Sequence, residues 1–125
     1  MIPERLFALI GAISGMTAVA AGAFASHALK QRLPTEMLDV FETAARYQIY
    51  HALAMIAVAW AAGRWGVPQL TWAGWLFVAG TVLFSGSLYT LALSGIRTLG
   101  AVTPLGGICF LAGWACMAWG IVCGR

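Results

Sequence analysis

Charge divides this chain more sharply than any motif does. No Asp, Glu, Lys or Arg occurs between Arg5 and Lys30, between Arg46 and Arg64, between Arg64 and Arg97, or between Arg97 and Arg125. Each interval can hold the roughly 17–25 apolar residues that a helix needs to cross about 30 Å of hydrocarbon. The spacing predicts an all-α integral membrane protein, a four-helix transmembrane bundle forming one membrane domain over residues 1–125. The spans fall at about 6–29, 44–63, 70–93 and 104–124. An even number puts both termini on one side, face A, and the first and third loops on face B.

Composition agrees: 62% of residues are hydrophobic and 9% are charged, and mean hydropathy is +0.87, outside the range of soluble domains. The lipid bilayer is therefore the expected partner. Seven Lys and Arg against four Asp and Glu give a net charge of +3, but the basic residues are scattered. Nucleic-acid binding, which needs a clustered basic face, has no support. Basic residues divide four to three between face B and face A, so the positive-inside rule barely favours a cytoplasmic face B.

Small residues pattern the spans. In the first, Ala8, Gly11, Gly15, Ala18, Gly22 and Ala25 alternate at steps of three and four, a seam that lets another helix approach closely. A cleaved signal peptide, the other reading of this segment, has no need of such a seam. Ala73, Gly80, Ser87 and Ser94 recur every seven residues in the third span. The fourth carries Gly106, Cys109, Gly113, Cys116, Gly120 and Cys123, again at coiled-coil period. Successive cysteines then stand about 10 Å apart along the axis, too far for a disulfide or a shared metal, so they read as packing residues.

Residues 31–46 form the only charge-rich segment. Thr35 after Pro34 is an expected N-cap, and Glu36 suits the positive end of a helix dipole. Met37, Leu38, Phe41 and Ala45 mark an apolar face, and Glu42 and Arg46 have i,i+4 spacing. The helix is expected to continue to Gly63, making this segment an amphipathic extension of the second span. Arg64–Gln69 reads as a tight turn, Ser94–Thr98 as a loop, and Thr103-Pro104 as a cap followed by proline.

Trp60, Trp65, Trp72 and Trp119 fall near face A, an ordinary aromatic belt. Face B gathers His27, Tyr47, Gln48, His51, Ser85, Ser87, Tyr89 and Thr103. Hairpin geometry is expected to bring His27 and His51 to compatible depth. Two readings of this candidate polar or ligand cluster stand open: the groups satisfy one another and fix packing, or they hold a small molecule or ion. Cys, Met and carboxylate ligands are not gathered near the histidines, so neither a metal nor another cofactor is expected. No catalytic residues are assigned, since every carboxylate lies outside the spans and no Ser–His–acid set is apparent. The missing intramembrane carboxylate also weighs against a proton-coupled transporter. The leading expectation is a non-enzymatic structural or assembly protein, with homo-oligomers or a larger membrane complex as partners; the alternative is a small transporter, channel or ligand-binding protein.

Four ordered stretches resemble the family catalogued as domain of unknown function 423, which includes relatives of transmembrane protein 256: Gly22–Leu29, Tyr47–Leu53, Leu83–Tyr89, and Thr103–Gly107 with Gly113-Trp114. The resemblance implies a four-helix protein of the bacterial inner membrane and brings no biochemical activity with it. Ala25-Ser26 departs from the family pattern, which more often resembles Gly-Ala before the histidine.

Overall fold

The computed structural model describes residues 2–125; Met1, the first residue of the expected domain, lies outside them. Helix α1 spans Pro3–His27, with Pro3 in the first turn where a missing N–H leaves no bond unmade. One 3₁₀ turn, Leu29–Gln31, follows. Helix α2 spans Thr35–Trp65, and at about 1.5 Å per residue it is longer than the hydrocarbon is thick. Its cap differs from the expected one: Pro34 is the extended flanking residue, and its carbonyl accepts Leu38 N–H at 2.9 Å. Thr35 is already helical and its hydroxyl caps nothing.

Gly66 stops α2 at φ 63°, a left-handed conformation open to glycine at no steric cost. Val67 is extended and Pro68 opens α3, Pro68–Ser94. This helix contains a π turn at Thr81–Ser85, between Gly80 and Gly86, where an unbroken α-helix was expected. The extra residue in the turn accompanies a bond to the neighbouring α2: Ser85 Oγ donates to the Ala44 carbonyl at 2.8 Å. Gly95, at φ 74°, closes α3. A 3₁₀ turn over Arg97–Ala101 leads to α4, Thr103–Cys123. Val102, not Thr103, flanks this helix, because the Thr103 hydroxyl is taken by Ser87 Oγ at 2.6 Å.

Helix α2 occupies the middle of the fold, with α1 on one side and α3 on the other, while α4 packs mainly on α3. The α1–α2 register is set by close approach. A Cβ on Gly11 would lie 2.8 Å from the Ala52 carbonyl oxygen; one on Gly15 would reach Ala52 and Ile49 at 3.8 Å; and one on Gly63 would reach Glu4. At the other end Phe24 meets Phe41, ring centroids 6.4 Å apart. The two helices run alongside each other from end to end, so α2 crosses the thickness that α1 crosses. Three stretches, Pro3–His27, Pro68–Ser94 and Arg97–Cys123, are long and apolar enough to span a membrane, and α2 is not among them. Tyr47, Gln48, Tyr50 and His51 lower its hydropathy, and its neighbours cover much of it.

Helices α3 and α4 meet through side chains seated on glycines. Leu70 lies over Gly120, Phe77 over Gly113 and Phe110 of α4 over Gly80 of α3, while at Gly106 it is the backbone of Phe84 that makes the approach. Both sets repeat every seven residues, which keeps them facing along an antiparallel pair. In hydrocarbon there is no apolar transfer energy to hold helices together, so such close contact supplies dispersion that lipid tails would otherwise provide. Phe7, Met55, Val58, Ala73, Phe77 and Phe110 form the main core.

Not every small residue packs. Gly22 has nothing within 4 Å of its Cβ position, because α1 and α2 leave a groove there. Ser94 is exposed. Cys109 and Cys116 are half-buried, Cys123 is exposed, and all three are free thiols. Near face A the tryptophans pair, Trp60 with Trp65 at 5.4 Å and Trp72 with Trp119 at 6.2 Å between centroids.

Candidate functional site

The expected face-B cluster separates into three polar contacts at different places. The first centres on Gln48, whose amide joins α1, α2 and α3. Its Nε2 donates to Thr17 Oγ1 at 2.8 Å and lies within bonding distance of the Ser14 carbonyl and hydroxyl, at 3.2 and 3.3 Å. Its Oε1 accepts from the Tyr89 hydroxyl at 2.6 Å. Both ends of the amide are engaged, each across a helix interface, which is how a polar side chain is carried at membrane depth.

The second surrounds His51, which is 5% exposed. Its ring stacks on Phe110, centroids 3.5 Å apart and planes 6° from parallel, and Tyr47 lies parallel at 6.4 Å. Phe77 and Trp114 lie tilted against it, at 5.6 and 5.9 Å between centroids, and the ring lines an open groove with Tyr47, Phe84, Phe110 and Trp114. Trp114 Nε1 donates to His51 Nε2 at 3.2 Å, and His51 Nδ1 lies 2.8 Å from the Tyr47 carbonyl. Indole nitrogen can only donate, so Nε2 must accept and Nδ1 must carry the proton. The contacts therefore assign a neutral imidazole with one tautomer, both nitrogens occupied.

The third contact is Ser87 Oγ with Thr103 Oγ1, joining α3 to the start of α4. Ser85, 1% exposed, bonds to α2 backbone as described above. On face B, Arg97 forms a two-armed pair with Glu36 at 3.2 and 3.4 Å, tying the third loop to the first turn of α2. The hydrogen bond and charge of Glu36 hold Arg97 above its ordinary pKa. Glu42 and Arg46, spaced for a pair, make none among the described residues.

His27 does not join the cluster. It is exposed at the end of α1, and the α1–α2 register places it level with about Leu38. His51 stands level with Ser14, at mid-membrane, so the histidines differ in depth by roughly 20 Å. The expected pairing assumed that α2 enters the bilayer at Arg46, whereas it already packs on α1 from Phe41. Three participants were missed by sequence reasoning. Ser14 and Thr17 are the polar side chains in the middle of the first charge-free interval, and Trp114 stands apart from the face-A belt; those placements were the available signals. Among the described residues, no three of His, Cys, Asp and Glu are grouped as metal ligands would be.

The chain matches the family described as "Protein of unknown function (DUF423)" over residues 21–107. It is 43% identical to a UPF0382 membrane protein of Staphylococcus saprophyticus, over 93% of this chain and 96% of that protein. It is 46% identical to the UPF0382 membrane protein YwdK of Bacillus subtilis, covering 88% of this chain and 90% of that one. No solved structure matches it.

Proposed function

The chain belongs to the DUF423 family of bacterial multi-pass membrane proteins, and from that premise we propose that it is non-enzymatic and serves as a structural or accessory subunit in the membrane. One observation carries this reading: Gln48 and His51, the polar groups of α2 at membrane depth, are engaged by neighbouring groups of this chain. Gln48 is bonded at both ends of its amide, and His51 at both nitrogens. Groups held in this way fix helix positions and register. A transporter or channel, by contrast, needs side chains free to exchange partners with a moving solute.

A role in assembly also needs a face that another helix can approach. Gly86 of α3 and Gly107 of α4 are helical glycines with nothing within 4 Å of their Cβ positions, unlike Gly80 and Gly106. They leave room for a second copy of this chain or for a helix of a larger complex. The test is purification in mild detergent followed by native mass analysis. Stoichiometric association with itself or with another membrane subunit is expected. A lone chain carrying haem, metal or substrate at stoichiometry, or a solute flux in proteoliposomes, would overturn the reading.

A further inference from the structure

Between α1 and α2, on the face-B half of the bilayer, runs an open groove of about 330 Å³. Its polarity changes along its length. By the α1–α2 register, Ser26 of α1 and Glu42 of α2 stand nearest face B, Gly22 comes next, Arg46 and Val19 share a level below it, and Ile49 is deepest. The α1–α2 register puts Arg46 level with about Val19, only about 7.5 Å from mid-membrane. The half-thickness of the hydrocarbon is about 15 Å. Arg46 is exposed and makes no ion pair among the described residues. An arginine at this depth requires a counter-charge or a route to the headgroups. Because α2 begins at face B, its Cα–Cβ bonds tilt toward that face, so the Arg46 side chain leads outward toward Glu42.

We propose that this groove is a binding site for one phospholipid of the face-B leaflet bearing a primary amine, of the phosphatidylethanolamine class. The order of groups argues for the amine. Going inward, the groove presents a carboxylate, a guanidinium and an apolar channel; such a lipid presents an ammonium, a phosphate and acyl chains in the same order. The phosphate receives charge-assisted hydrogen bonds from Arg46, and the ammonium donates to Glu42. An acyl chain lies past Gly22, where no side chain fills the space. A purely anionic headgroup would place its phosphate equally well but would set no donor cation against Glu42. This occupant is independent of the accessory role, since a lipid can fill the groove in a chain that has no protein partner.

The full chain, delipidated in detergent, is titrated with dioleoyl phosphatidylethanolamine, phosphatidylglycerol or phosphatidylcholine and read by native mass spectrometry. One tightly held phosphatidylethanolamine is expected in preference to the other two. Arg46→Gln should weaken retention of that lipid about tenfold or more, the scale of a charge-assisted hydrogen bond. Glu42→Gln should leave a bound lipid but erase the preference for the amine. Gly22→Leu fills the groove without touching either charge, and a helical leucine in open space poses no obstacle to folding; it should abolish the bound lipid. Preference for phosphatidylglycerol, equal retention of all three lipids by the unsubstituted chain, or full retention in Gly22→Leu would each overturn the proposal.

Discussion

Gly106 offers the sharpest test of how this fold is held. A Cβ added there would collide with the backbone nitrogen and Cα of Phe84, inside the π turn, and no rotamer change can move those atoms. The adjacent Gly107 would meet nothing within 4 Å. Both substitutions to alanine gain the same helix propensity, about 0.8–1.0 kcal/mol. The difference between them therefore isolates the steric term, expected at about 1–3 kcal/mol from overpacking of closely fitted interiors. Gly107→Ala should be neutral or stabilising, and Gly106→Ala destabilising. Equilibrium unfolding by SDS in dodecyl maltoside micelles, followed by circular dichroism, gives both values. A companion pair discriminates the mechanism. The Cβ of Gly113→Ala meets the ring of Phe77, at 2.7 Å, so Phe77→Leu should recover part of the loss in a double-mutant cycle. Phe84→Leu should recover none of the loss at Gly106. Gly106→Ala as stable as Gly107→Ala, or rescue by Phe84→Leu, would refute the backbone contact as the origin of the fit.

Gln48→Leu removes interhelical bonds to both α1 and α3, each worth about 0.6 kcal/mol on average and at most about 1.7; a loss of about 1–3 kcal/mol is expected in the same assay. Tyr89→Phe, which leaves the α1 side intact, should lose less. His51→Leu leaves the Trp114 N–H without its acceptor and removes the stacked ring, costing about 2–3 kcal/mol and altering tryptophan emission. His27→Gln should change neither stability nor emission; an effect matching that at His51 would contradict the depth assignment. Glu36→Gln breaks a pair whose side chains are 72% and 66% exposed, and no shift of the unfolding midpoint is expected.

The four helices were legible because charge is costly in lipid, so the intervals between charged residues locate the crossings; Arg46, which lies within the crossing of α2, is the exception. Period seven was equally plain in Gly106, Gly113 and Gly120. What stayed hidden was the partner of that row, since Leu70, Phe77 and Phe84 read as three apolar residues in an apolar span. Tyr89 and Gln48 are both polar residues at membrane depth and visible as such, but which helix each reaches depends on register. Register is fixed by how closely Gly11 fits against Ala52, a packing fact with no signature in charge or hydropathy. That is why His27 looked like a neighbour of His51 when Ser14 lies at its level. The π turn was hidden for a similar reason: its bond partner, the Ala44 carbonyl, belongs to another helix.

The polar content of α2 has a consequence for how the protein is made. A segment holding Tyr47, Gln48, Tyr50 and His51 gains too little from lipid to leave a translocation channel sideways by itself, whereas α1 and α3 on either side of it can. Its entry is therefore coupled to theirs. Insertion of α2 is then expected to follow pairing with α1, in which Ser14 and Thr17 engage Gln48. The α1–α2 hairpin is the unit that such pairing would insert, and the third helix adds the Tyr89 hydroxyl to the Gln48 amide.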